Sequence, residues 1–216
     1  MNDHELRCKL EALHTALLCD VMDGLGFRDS ALGMNIRPIQ PHQKLVGTAF
    51  TVRCEAVQEP PEKPYQHLLA AYAELGLGNV IVLHCGDQVS AMWGELLSTA
   101  AVAKGAVGAV MDGATRDVEQ IIQMGFPVFS TGFSPLDSAG RQEVVEHGIA
   151  VRCGNATVRP RDWIVGDVMG VVVIPHELVE QVVTLASAKD AQESTVRNEL
   201  LNGEEIGTVF ARHGIL

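Results

Sequence analysis

The 216-residue sequence has no Cys-x-x-Cys pair, few basic residues, few aromatic rings and no apolar run longer than a strand. Its five cysteines, Cys8, Cys19, Cys54, Cys85 and Cys153, are scattered and odd in number. That pattern argues against a disulfide framework or a cysteine zinc site and fits a reduced, cytoplasmic compartment. The longest apolar runs, such as Val80–Leu83 and Val171–Pro175, fall far short of the ~20 residues of a membrane span. The N-terminus mixes acids and bases and carries no export signal, so a soluble protein is expected. Sixteen Lys and Arg against 27 Asp and Glu give a formal charge of −11. Such a field repels a phosphate backbone, and nucleic-acid binding is not expected. Also missing are G-x-x-x-x-G-K-[ST], H-E-x-x-H and G-x-S-x-G, while Gly76-Leu-Gly78 precedes a strand instead of following one. Cys85 beside His84 is read as a core cysteine, since neighbours on a strand point to opposite faces.

What is present is an α/β pattern. With 47% hydrophobic and 20% charged residues, disorder, collagen and coiled coil are excluded, and residues 1–216 fit one domain. That length needs no metal or disulfide to stay folded, so any metal serves chemistry. Leu6, Leu10, Leu13, Leu17 and Val21 predict one amphipathic helix over 4–23. Leu45–Val57 predicts a half-buried strand, Tyr65–Leu75 a helix and Asn79–His84 a strand. The unit repeats with helix Trp93–Lys104, strand Gly108–Met111, helix Arg116–Met124 and a short strand in Gly125–Phe129. Strands separated by helices of this length predict crossover units and a largely parallel central sheet. From Ile149 to Pro175 the texture predicts a second, more antiparallel set of strands beside the first. A closing helix, His176–Leu201, is expected to turn Leu178, Val182, Leu185 and Ala186 inward.

Chemistry concentrates between Gly86 and Asp117. A strand ends at Gly86-Asp87, a helix begins near Gly94-Glu95-Leu96-Leu97, and the next strand ends at Asp112-Gly113 before Arg116-Asp117. In a parallel sheet, ligands gather beyond the carboxyl ends of strands, so both loops face one crevice. The crevice would offer the amides of Leu96 and Leu97, the Arg116 guanidinium and the carboxylates of Glu95 and Asp117, a set suited to an anionic, metal-chelating ligand. By spacing alone, the same residues also fit ordinary first-turn acids and a solvated arginine.

The run Gly94-Glu-Leu-Leu97, followed after twenty residues beyond Glu95 by Asp112-Gly-x-x-Arg116-Asp117, resembles the signature of the 4-hydroxy-4-methyl-2-oxoglutarate aldolase family, which also contains the regulator of ribonuclease activity A. Leu45–Val52 and Asp162–Pro175 resemble its flanking strands, so the likeness spans roughly residues 15–190. The resemblance implies a β/β/α fold of the swivelling, phosphohistidine-domain-like type, assembled as a homotrimer or hexamer with sites near subunit interfaces. It implies a class II pyruvate aldolase using Mg²⁺ or Mn²⁺, with oxaloacetate decarboxylase activity. Asp117 is then the metal ligand, Arg116 binds and polarises substrate oxygens, Gly94, Leu96 and Leu97 hold the pyruvyl carboxylate at the helix N-terminus, and Glu95 orients a water that serves as base. Two positions depart from the family: Glu95 stands where an Asp is common, and Pro160-Arg161-Asp162 where Pro-Gly-Asp is usual. Glu204 or Glu205 is available to complete a neighbouring subunit's site. Arg28, Arg53, Arg152 and His147 fit either a distal carboxylate or a solvated surface. The alternative function is a non-enzymatic regulator that binds and inhibits a ribonuclease; a methyltransferase would need a glycine-rich strand-to-helix turn that this sequence lacks.

Overall fold

In the computed structural model of the protein, which describes residues 1–215, the apolar stripe from Leu6 to Val21 is split by its own capping chemistry. Asn2 and Glu5 cap α1 (Asp3–Ala12) reciprocally, and His14 Nδ1 accepts the Leu17 amide at 3.2 Å to open α2 (Thr15–Gly24). The single helix expected over 4–23 is therefore two. The imidazole satisfies an orphan first-turn amide, and Leu13 takes extended dihedrals between the helices. All five stripe residues stay buried.

After a short β1 (Arg37–Pro38) come β2 (Leu45–Ala56), α3 (Gln66–Glu74) and β3 (Asn79–His84). Next, β4 (Ala91–Trp93) and α4 (Glu95–Ala103) lead to β5 (Gly108–Met111), and β6 (Ala114–Thr115) and α5 (Val118–Met124) lead to β7 (Val128–Ser130). Strands β2, β3, β5 and β7 are parallel neighbours, as the crossover pattern requires. The chain continues through β8 (Gly132–Phe133), β9 (Gln142–His147), the hairpin β10 (Val151–Cys153) and β11 (Ala156–Val158), and then β12 (Trp163–Asp167) and β13 (Gly170–Ile174).

The expected second strand set is not separate. β12 pairs antiparallel with both β2 and β13, giving one eight-stranded mixed sheet in the order β1-β7-β5-β3-β2-β12-β13 with β9 also on β2. Only the β10–β11 hairpin of that region stands apart. The segment between Ser30 and Ile39 nearly closes the sheet on itself. At one edge Val173 N donates to Ser30 O at 2.8 Å and Leu32 N to Val171 O at 3.0 Å; at the other, Ile39 N donates to Val128 O at 2.9 Å.

Closure explains why the strands read as continuous apolar runs. Alternate residues Val80, Val82, Val110 and Val171 fill the inside with Leu32, Ile36 and Phe129. Their neighbours Ile81, Leu83 and Met111 face outward under α3, α4 and α5, and Val165, Val172 and Ile174 face α1 and α2. A 3₁₀ turn (His176–Leu178) precedes α6 (Val179–Leu201), which buries Val179, Val182, Val183 and Ala186 at i, i+3, i+4, i+7. Leu185, expected inward, falls outside that stripe and is exposed. A further helix, α7 (Ile206–His213), is capped by Glu205 and tied back by His213 and Arg212 to Glu199. Among the described residues, no helix is long and apolar enough to cross a membrane.

Candidate active site

Each of β3, β5 and β7 is followed by a very short strand, and these three form a small parallel sheet in the order β4-β6-β8. This sheet places the two motif loops side by side. Trp93 pairs with Thr115, and Arg116 N donates to Trp93 O at 2.9 Å. Trp93 belongs to this strand and not to the helix expected over Trp93–Lys104. Its ring is fully buried, its Nε1 donates to Ser98 Oγ at 2.8 Å, and that hydroxyl donates to Gly94 O at 3.0 Å. Burying a ring of that size contributes on the order of 2–3 kcal/mol to holding the loop. Likewise the helix expected from Arg116 begins at Val118, leaving Arg116 and Asp117 in the turn.

Asp117 occupies the left-handed region, at φ 55° and ψ 37°, which costs a non-glycine residue about 1–2 kcal/mol. Although it sits at the N-cap of α5, its side chain caps nothing there. Asp117 Oδ2 instead accepts the Glu95 amide at 3.1 Å, at the start of α4, leaving Oδ1 without a hydrogen-bond partner among the described residues. Gly94 makes this approach possible, since a Cβ there would lie 2.6 Å from Asp117 Oδ2. With the Glu95 amide occupied, the first-turn amides of Leu96 and Leu97 remain without intrahelical acceptors. The Glu95 carboxylate turns along the helix and accepts the Thr99 hydroxyl at 2.7 Å.

Arg116 Nη1 donates to Asp137 Oδ2 at 2.5 Å, and its Nε stands 3.6 Å from Asp117 Oδ2. The Ala139 amide, with the Arg116 guanidinium beside it, holds the Asp137 carboxyl below the usual carboxylate range. Asp137 is a site residue the sequence reading missed. It lies in a loop without a motif, and its one local signal is the turn it makes by accepting the Ala139 amide at 2.8 Å. Gly94, Leu96, Leu97, Arg116, Asp117 and Asp137 all line one hollow of about 390 Å³. Glu95 borders it through its backbone only.

Behind the site, Asp112 joins three segments. It accepts Cys85 N at 2.6 Å and Gly154 N at 3.3 Å, and meets His84 Nδ1 at 2.9 Å. Burial pushes the Cys85 thiol well above its ordinary value, as befits a core cysteine. The remaining candidates lie elsewhere. Arg53 pairs with Glu55 and Glu146, and His147 stacks on Phe50 with ring centroids 5.9 Å apart. Arg28 and Arg152 line a separate polar cleft. Glu204 pairs with Arg212 at 2.9 Å, and Glu205 caps α7.

Among the described residues no three His, Cys, Asp or Glu side chains cluster to form a cage for a metal ion. The donor set fits a hard cation held by one carboxylate oxygen, Asp117 Oδ1, with water and substrate at its other positions, which is how Mg²⁺ and Mn²⁺ are commonly held.

Comparison with known proteins agrees with this arrangement. The family profile described as RraA-like, Aldolase/RraA, matches residues 15–173. The uncharacterized protein MJ0644 of Methanocaldococcus jannaschii is 35% identical over 179 residues, covering 81% of this chain and 82% of the relative. A provisionally named 4-hydroxy-4-methyl-2-oxoglutarate aldolase of Halalkalibacterium halodurans is 30% identical, covering 86% of this chain and 83% of its own. Streptomyces coelicolor RraAS2, described as an unusual member of the RNase ES inhibitor RraA protein family, superposes with a TM-score of 0.81 at 26% identity, over 91% of this chain and 97% of that one.

Proposed function

The chain belongs to the RraA-like, Aldolase/RraA family, and from that membership we propose that it is a divalent-metal-dependent lyase that cleaves 4-hydroxy-2-oxo acids to pyruvate. In this reading 4-hydroxy-4-methyl-2-oxoglutarate, for which relatives are named, is one candidate substrate, and oxaloacetate is decarboxylated at the same site. The observation that carries the proposal is Asp117. Its strained backbone presents one carboxylate oxygen to the start of α4 and leaves the other facing the hollow beside Arg116. A ribonuclease-binding surface has no use for that arrangement, whereas metal-assisted lyase chemistry does.

A divalent cation held by Asp117, Mg²⁺ or Mn²⁺, supplies positive charge opposite the 2-oxo group as carbon–carbon cleavage pushes electrons onto it. The chain's own groups do the rest. The free Leu96 and Leu97 amides, reinforced by the dipole of α4, bind the substrate's 1-carboxylate. Arg116 exchanges its Asp137 partner for the 2-oxo oxygen and adds charge-assisted hydrogen bonds as negative charge develops there. Asp137 keeps the guanidinium oriented until then. Aldol cleavage also requires a base for the 4-hydroxyl proton, which we assign to the Glu95 carboxylate acting through a water after release of Thr99. The family's oligomeric assembly, trimer or hexamer, belongs to the same proposal.

The test is pyruvate release from 4-hydroxy-4-methyl-2-oxoglutarate, from a 4-hydroxy-2-oxo monocarboxylate and from oxaloacetate, with Mg²⁺ and with excess chelator. Release that chelator stops and Asp117→Ala abolishes, together with lost Mn²⁺ binding in that variant, is expected. No release from any of the three by the folded protein would sink the lyase reading and favour the ribonuclease regulator.

A further inference from the structure

We infer that the substrate is a monocarboxylate, a 4-hydroxy-2-oxo acid whose distal end is hydrocarbon and not a second carboxylate. The inference rests on the lyase reading and concerns what fills the hollow beyond Arg116. That space is walled by Tyr65, Leu68 and Leu69 from the start of α3 and by Met92, Leu96 and Leu97 from β4 and α4. Arg116 is the one cation in the lining, and Asp117 and Asp137 are both acidic. The adjacent Arg141 donates its Nη1 to the Asp137 carbonyl at 2.9 Å and does not reach the wall. Lys63 lies in a different depression, with Pro61, Gln66 and His67.

Charge decides between the two kinds of substrate. Arg116 and Asp137 cancel, so Asp117 with a bound divalent cation leaves one net positive charge, which a single carboxylate neutralises. A second carboxylate would be placed against leucines with no cation or donor to replace its water, a penalty that falls on the bound state. Hydrocarbon in the same place gains instead. Leu69 and Leu96 are 66% and 76% exposed, so the fold leaves two large apolar side chains uncovered at the rim of its own site. A substrate tail laid along them removes that surface from water.

The experiment uses the full chain with saturating Mg²⁺ and a homologous series of 4-hydroxy-2-oxo monocarboxylates differing by one methylene beyond C4, beside 4-hydroxy-4-methyl-2-oxoglutarate. The expected result is a kcat/KM that rises about fourfold per added methylene until the hollow is full. The longer members should exceed the dicarboxylate by about tenfold or more. Leu69→Arg, at an exposed position, should raise the ratio of dicarboxylate to monocarboxylate kcat/KM by a similar factor. A dicarboxylate preferred by the unaltered protein, a flat response to chain length, or an unchanged ratio in folded Leu69→Arg overturns the inference and leaves the lyase reading intact. Absence of metal-dependent pyruvate release from every acid overturns the lyase reading, and the inference falls with it.

Discussion

A single methyl group at Gly94 tests whether Asp117 works through its position. The added Cβ would stand 2.6 Å from Asp117 Oδ2 and 3.2 Å from Arg116 Cγ, where ordinary contact begins at 3.4 Å. Asp117 must then retreat by about 0.8 Å, the difference between the first and last of these distances, and its 3.1 Å bond from the Glu95 amide stretches out of range. The backbone does not resist the change, because Gly94 is extended at φ −161° and ψ −170°, which alanine adopts freely. Two independent magnitudes agree. A misplacement of about 1 Å in a site costs on the order of a hundredfold in rate, about 2.7 kcal/mol, and a hydrogen bond to a charged acceptor contributes about 1.5–3 kcal/mol. Gly94→Ala should therefore lower kcat/KM for metal-dependent pyruvate release about a hundredfold and weaken Mn²⁺ binding measured by calorimetry. Its melting temperature should stay within a few degrees of the parent, since glycine and alanine differ little in cost at a helix N-cap. A variant that melts normally and keeps both its rate and its Mn²⁺ affinity would refute the claim that the Asp117 carboxylate, as held against α4, is the metal ligand.

Two further changes test the scaffold. Arg161 holds φ 72°, the left-handed conformation in the turn where the family has glycine, so Arg161→Gly should stabilise the protein by about 0.5–1 kcal/mol in urea denaturation; unchanged or lower stability removes strain as the explanation. Burial opposes ionisation of Asp167, but the Thr15 hydroxyl at 2.7 Å and amide at 2.8 Å outweigh it and hold the carboxyl below its ordinary value of 3.8. A lowered folded value means that this contribution is complete above the ordinary range and is lost as pH falls through the folded value. Asp167→Asn should cost about 1–2 kcal/mol at pH 7 and progressively less below about pH 4, and a gap that stays constant with pH would place the effect outside the carboxylate's charge.

Much of this was legible in the sequence where burial imposes period and composition. β3, β5 and β13 appear as short apolar runs because a nearly closed sheet buries both of their faces. β9 did not, since Gln142–His147 carries three charged or polar residues on its outward side and owes its strand geometry to pairing with β2. The boundaries at Trp93 and Arg116 were missed for a related reason: strands of two or three residues leave no periodic trace, and only the pairing of β4 with β6 ends the helices there. The motif residues were found because the crossover places both loops at one end of the sheet. Asp137 was not, being twenty residues beyond Asp117 and brought to Arg116 only by the third of those short strands.

The segment from Ser30 to Ile39, by hydrogen-bonding β13 on one side and β7 on the other, also governs how copies of this chain can meet. An open sheet of this composition, rich in valine, would offer unpaired main-chain groups at its flanks as a template for another molecule's strand, the usual route to uncontrolled association. Here those flanks are already satisfied from within. Any assembly that these molecules form has to be specified by side chains on helices and loops, where a single charge can accept or reject a neighbour, and not by the indiscriminate grammar of backbone pairing.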